Sequence, residues 1–458
     1  MLAPSAIPAR RVPPHPKVLH AIQSEMKARR ITVGDRHMMS VAAALAAEPV
    51  GVEGLNQGLF YPPTVPPAGG PALAPTRTAR SRPTKGKMRC LVVLVDFKDN
   101  KGKRPADEFR EMLFSQGQLS PGSMRDFYAE NSRGHVDLDG QVVGWLRMPE
   151  TYVYYTGGQS GTSPDNYPHN AQKMAEDAVR LAAKVINFKD FDRDGDGFLD
   201  GLFLIHAGEG AETDTDPATR GDKIWSHQWN LRTPFVSRGV SVYAYCTEPK
   251  DGRVGVFCHE FGHMLGLPDL YDTTNRSHGV GAWCVMGAGS WNDDGLTPAH
   301  FCAWAKVRLG WLRPKVVRAA DSLMLDPVEA PHKGDVHRLW TGGGVHQEYF
   351  LLENRQLIGF DRKLPGSGLL IWHIDEAQDS NNNPGAYLVA LAQADGEFHL
   401  ERNRNRGDAG DPFPGSTGKS RFDDASRPNS RDNLANSTGV AVTNIKVDGT
   451  AMGCDVAV

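Results

Sequence analysis

VGVFCHEFGHMLGLPDLYD, residues 254–272, is the stretch around which the 458-residue chain reads. His259 and His263 are four apart, so on a helix both imidazoles lie on one face and can reach a single metal ion. Glu260 follows the first of them, where a carboxylate faces the open coordination position and can take a proton from water. Apolar Val254, Phe257, Cys258, Phe261 and Leu265 fall at i, i+3, i+4, i+7 and i+11, which predicts a helix with one buried stripe and the histidines at its edge.

That helix has to stop soon after His263. Gly266 permits a left-handed end and Pro268 forbids continuation, so the chain turns sharply. Asp269 then comes back three residues after the glycine, the place of the third ligand in HExxHxxGxxH/D metalloproteases. His278 is the rival third ligand: imidazole is a good zinc partner, but nine more residues must be ordered to deliver it. Asp272 is a weaker rival, better read as fixing the loop. Together these residues predict a zinc hydrolase.

The likeness extends beyond the helix. HEFGHMLGLPDLYD, then Trp283-Cys284-Val285-Met286 and Gly289-Ser290-Trp291, is similar to the M6 (immune inhibitor A-like) family of secreted, metzincin-related zinc peptidases. LVVLVDF at 91–97, SMRDFYAENSRG at 123–134, DRDGDGFLDGLFLIHAG at 192–208, IWSHQW at 224–229, KVRLGW at 306–311 and LLIWHID at 369–375 resemble segments of that family in the same order, over roughly residues 88–445. The resemblance implies a zinc endopeptidase acting on protein or peptide substrates, a pro-segment ahead of the catalytic domain, and an extracellular location. It also implies that Met286, 23 residues after His263, forms an apolar floor beneath the zinc.

A second constellation lies at Asp190, Asp192, Asp194, Asp196 and Asp200, with Gly195 and Gly197 between the later carboxylates. Alternate oxygens can converge on one hard cation, so calcium is expected there. The loop departs from an EF-hand, because the twelfth position counted from Asp192 is Phe203 and not a glutamate. Asp395, Asp408 and Asp411, in QADGEFHL and GDAGDPFPG, are a further candidate for a cation. Tyr271, His206, His227 and His300 read as structural residues.

Lys and Arg number 51 against 54 Asp and Glu, a net charge of -3 that gives no reason to expect nucleic acid or an anionic membrane as partner. A 40% hydrophobic and 23% charged composition is that of a globular chain with a sizeable core, and no apolar run is long enough to span a bilayer. Cys90, Cys246, Cys258, Cys284, Cys302 and Cys454 form no CxxC pair and read as buried thiols. MLAPSAIPARRVPPHP lacks the apolar core of a signal peptide, which leaves a cytoplasmic location as the alternative.

Composition divides the chain at two places. Residues 1–86 hold proline-rich ends, two short helical stretches (one at Met38 to Ala47) and a basic run from Thr76 to Lys87, the composition of a linker, and the resemblance implies that they form a pro-segment. Residues 87–312 alternate buried-strand runs (Cys90 to Phe97, Leu202 to His206) with helical periodicity (Ala106 to Phe114, Ala171 to Val185). That pattern makes an α+β fold with a mixed sheet carrying helices on its faces, and the resemblance implies that it is a metzincin-like zinc peptidase domain holding the active-site helix. Residues 313–458 show short alternating runs between Gly, Asn, Asp and Pro clusters, the pattern of an all-β sandwich-like lobe. A monomer is expected. Two other readings stay open on the residues alone: a zinc hydrolase of a non-protein substrate, and a calcium-dependent binding protein with a vestigial peptidase site.

Overall fold

A computed structural model describes residues 9–28, 84–330 and 333–458; the helical stretch expected at Met38 to Ala47 and most of the basic run after Thr76 lie outside these residues. A six-stranded mixed sheet carries the first half. Its strands are β1 (Arg10–Arg11), β2 (Gly86–Asp96), β3 (Val136–Arg147), β4 (Gly201–His206), β5 (His227–Ser237) and β6 (Val240–Pro249), in the order β1-β5-β6-β4-β2-β3. β2 runs parallel to β3 and β4, β4 parallel to β6, while β5 is antiparallel to β6 and to β1.

Both faces of this sheet are covered, which is why β2 and β4 read as unbroken apolar runs. Leu91, Val93 and Val95 join Met174, Ala178 and Ala182 of helix Ala171–Ala182 in one core. Asn170 caps that helix, its side chain accepting from Lys173 N at 3.2 Å. Helix Val254–Met264 lies on the opposite face, where Phe261 stacks on Phe203 at 5.8 Å between ring centroids. Gly201 is required at this contact: a Cβ there would stand 2.9 Å from Cys90 Sγ and 3.1 Å from the Phe261 ring.

The chain divides into two compact units, one of residues up to 129 with 136–268 and one of 130–135 with 269–458. In this division residues 269–312 go with the later unit. The reason is where their backbone bonds go: Leu270 N donates to Met286 O, Val285 N to His300 O, and Arg355 Nη1 to Trp283 O. This unit contains β7 (Lys315–Val316), β8 (Asp321–Leu325), β9 (His337–Leu339), β10 (Glu348–Arg355), β11 (Gly368–Asp375), β12 (Val389–Leu391), β13 (Ala441–Asp448) and β14 (Ala451–Ala457). They form a five-stranded sheet, β12-β11-β10-β9-β7, and a three-stranded one, β13-β14-β8. Helix Ala303–Arg308 belongs to the same unit. Arg355 is buried against Asp361, whose carboxyl oxygens it holds at 2.7 Å each, and Glu353 also accepts from Trp372 Nε1.

All six cysteines are buried free thiols, as their scatter predicts. Among the described residues, no helix is long and apolar enough to cross a membrane.

Candidate metal centre

The expected helix forms over Val254–Met264, and every one of its residues is buried, the polar edge as well as the apolar stripe. Tyr128 Oη donates to Cys258 O at 2.7 Å, which anchors the turn that begins at His259. Gly266 adopts φ +95, the left-handed conformation the stop requires, with its N–H on His263 O and that of Leu267 on Gly262 O.

His259 Nε2 and His263 Nε2 stand 3.1 Å apart with their rings at 90°. Two nitrogens bound tetrahedrally to one zinc at about 2.05 Å would be about 3.3 Å apart, so the pair fits a shared ion. His263 Nδ1 lies 2.8 Å from Leu267 O and donates to it, which leaves Nε2 as the ligating atom. Asp269 joins the pair: one ligand-type atom from each of His259, His263 and Asp269 lies within 4.8 Å of the others, so the three could hold one ion. Two imidazoles and a carboxylate are a zinc donor set, and Glu260, next to the first ligand and fully buried, is the carboxylate beside it.

His278 is not in that group. It is buried, with its backbone N–H on Leu400 O. Asp272 spends its carboxylate on its own loop, Oδ1 accepting from Thr274 N at 2.8 Å and Oδ2 from Ser277 Oγ at 3.3 Å. Met286 is wholly buried, and its carbonyl is the acceptor for Leu270 N.

These observations sit where a family profile matches. The profile described as immune inhibitor A peptidase M6, catalytic domain, covers residues 78–312, just over half of the 458. The chain belongs to the M6 peptidase family. Among M6 proteins it is 33% identical over 280 residues to "Immune inhibitor A" of Bacillus thuringiensis subsp. alesti, covering 50% of this chain and 40% of that protein. It is likewise 33% identical over 235 residues to "Pre-pro-metalloprotease PrtV" of Vibrio cholerae serotype O1 (strain M66-2), covering 43% of this chain and 25% of the relative. The chain thus aligns with less than half the length of either relative.

In the acidic loop of this M6 chain three of the five expected carboxylates converge. Asp192, Asp194 and Asp196 place ligand atoms within 4.8 Å of one another. Asp200 is turned elsewhere: its oxygens accept from Arg89 N at 2.9 Å and Arg193 N at 3.2 Å, and burial lifts its carboxyl to about 6. Asp190 Oδ1 takes a bond from Asn187 Nδ2 at 3.4 Å. His227 bonds Trp225 O at 2.6 Å and Tyr245 Oη at 3.2 Å, and His300 bonds Glu130 Oε1 at 2.6 Å; burial holds His206 and His227 neutral, down to about 3.

Sequence reasoning passed over His399, which the fold places with Asp395 and Asp408. It stands within QADGEFHL, and the histidine four residues after the aspartate was the available signal.

Proposed function

We propose that this M6 chain is a zinc-dependent endopeptidase that hydrolyses peptide bonds of protein substrates, with Glu260 as general base. The observation that carries the reading is the convergence of His259, His263 and Asp269 beside Glu260 on one buried helix and its turn. Zinc bound there lowers the pKa of water and polarises the scissile carbonyl. Glu260 takes the proton from the attacking water and returns it to the leaving amine. His263, fixed by Leu267 O, keeps its imidazole aimed while this happens. The metzincin-like character of the catalytic half and a sandwich-like packing of the later strands belong to the same proposal, as does calcium at Asp192, Asp194 and Asp196.

The first residues would restrain that activity as a pro-segment, up to about residue 86. β1 pairs antiparallel with β5, Arg10 opposite Gln228 and Arg11 opposite His227, and Arg10 Nη1 donates to Leu267 O at 2.9 Å, the carbonyl that also receives His263 Nδ1. An extended segment is therefore laid along the outer strand of the sheet and reaches the turn after the metal helix, which supports an inhibitory role. The relative named a pre-pro-metalloprotease supports it too, and with it an extracellular location.

Glu260→Gln tests the mechanism, since it removes the proton carrier and keeps the shape. Peptidase activity on casein is expected to fall by several orders of magnitude, with zinc content and fold unchanged. Turnover close to that of the unaltered protein would end the proposal. Failure on casein and peptide libraries of protein cut between Thr76 and Lys87 and freed of its N-terminal piece, with zinc bound, would point to a non-protein substrate.

A further inference from the structure

Beyond β12 the chain makes a long excursion whose two limbs are zipped together: Ala394 N donates to Asp411 O at 2.9 Å and Asp395 N to Gly410 O at 3.0 Å. The zip brings like charges to one place. Ligand atoms of Asp395, His399 and Asp408 lie within 4.8 Å of one another, and a Cβ on Gly410 would stand 2.6 Å from Asp395 Oδ2 and 2.9 Å from Asp408 Oδ1. Glycine is needed there because two carboxylates close over its α-carbon. Asn405 Nδ2 donates to Asp408 Oδ2 at 2.6 Å, and His399 Nδ1 lies 3.1 Å from the same oxygen.

Asp411 supplies a separate observation. Its side chain is wholly buried and folds back on the group, Oδ2 accepting from Asp408 N at 3.1 Å and from Trp283 Nε1 at 2.9 Å, while Oδ1 has no hydrogen-bond partner. A buried carboxylate oxygen left without a donor is costly unless a cation faces it. The charged neighbours that act on Asp411 are Asp408 and Asp395, which add repulsion. The nearby ammonium of Lys419 is directed to the carbonyls of Asp395 and Arg427, at 3.0 Å each.

We propose that Asp395, His399 and Asp408, backed by the buried carboxylate of Asp411, form a second divalent-cation site in the later half of the chain, for an oxygen-preferring ion such as calcium or manganese. Carboxylates favour hard ions, and one imidazole in the set keeps manganese admissible. The ion would brace a functional turn. Leu400 O receives His278 N at 2.9 Å, Arg406 O receives Ala282 N at 2.6 Å, and Asp411 holds the Trp283 indole, so the same excursion supports residues 278–283 just ahead of Met286. The site is independent of the peptidase reading.

The contact with Trp283 provides a direct measurement. Terbium, a luminescent stand-in for calcium, bound at this site would sit close to the indole and be excited through it. In metal-depleted full-length protein, terbium should give tryptophan-sensitised emission that calcium displaces and manganese quenches, and the order of competition identifies the preferred ion. Asp395→Asn, and separately Asp411→Asn, should each lose about one bound equivalent and at least tenfold in sensitised emission. An Asp194→Asn, Asp196→Asn double variant should retain that signal. If Asp411→Asn fails to fold, the half-buried Asp395→Asn decides alone. Binding of as many equivalents by folded Asp395→Asn as by unaltered protein, with unchanged emission, would overturn the proposal.

Discussion

Asp269→Ala is the substitution that most directly separates the two candidates for the third zinc ligand. In the structure Asp269 offers a ligand atom within 4.8 Å of those on His259 and His263, and its side chain is 3% exposed, so its loss removes a donor from a dry site. Changes to groups that merely orient ligands lower metal affinity about 10–100-fold, so losing a ligand itself should cost about 100-fold or more, about 3 kcal/mol. Neither helix nor turn should suffer, because the stop is made by Gly266 at φ +95 and by the N–H of Leu267 on Gly262 O. His278→Ala removes a side chain outside the group and leaves the backbone bond to Leu400 O in place, so affinity should change less than about threefold. Zinc retention against a competing chromophoric chelator measures both, with near-ultraviolet circular dichroism as the control for folding. A greater loss in His278→Ala than in Asp269→Ala would refute the assignment and make Asp269 a residue that fixes the turn.

Melting temperature should rise with free calcium, by the equivalent of about 2.7 kcal/mol for each occupied site at a hundredfold excess over its dissociation constant, and Asp194→Asn with Asp196→Asn should remove one site's share of that response; an unaltered response in the double variant would place the ion elsewhere. A trypsin-like cut between Thr76 and Lys87, followed by removal of the N-terminal piece, should increase peptidase activity on casein, and equal activity before and after would reduce that piece to a tail. Glu212, wholly buried with Ser226 N and Oγ on its oxygens, is raised by burial from 4.5 to about 7. The folded protein therefore keeps a proton that the unfolded chain releases between those values. Its contribution to stability is fully present below pH 4.5 and lost as pH rises through 7, about 3 kcal/mol in all. Glu212→Gln, a neutral mimic, should outlast the unaltered protein in urea at pH 8 and match it below pH 4.5; a gap independent of pH would show that Glu212 does not titrate this way.

The elements that could be read from the sequence are those whose pattern is set by burial alone. Cys90 to Val95 is apolar throughout because β2 has covered faces and a strand on either side, and Ala171 to Ala182 shows helical spacing because one face meets that sheet. β5 escaped notice: it contains Arg232, Pro234 and Ser237, and its register with β6 shifts between Asn230 and Phe235, so no period of two survives. β3 is an edge strand in which Asp137, Asp139 and Gly140 interrupt the apolar alternation. β6 alternates like a half-exposed strand yet is almost wholly buried, because β4 and β5 flank it on either side and its Thr247 Oγ1 donates to Leu204 O at 2.8 Å. The same logic governs the sites. His259, Glu260, His263 and Asp269 lie within eleven residues, so helix geometry and one glycine bring them together. His399 meets Asp395 and Asp408 only because backbone bonds between two limbs of an irregular excursion align them, and no local period encodes that.

The pairing of β1 with β5 is made by a stretch still joined covalently to β2 through residues 29–83, and so it is a first-order association. A tether gives its two ends an effective concentration that can reach millimolar, whatever the concentration of the protein. One cut in the intervening chain changes the order of the reaction. The segment then stays only through contacts such as Val12 N on Ser226 O at 3.1 Å, Trp225 Nε1 on Val12 O at 2.9 Å and Arg10 on Leu267 O. Dilution after the cut, and not the cut alone, would empty the sheet edge, so a nicked molecule held at high concentration would stay restrained and the same molecule dispersed into a large volume would not.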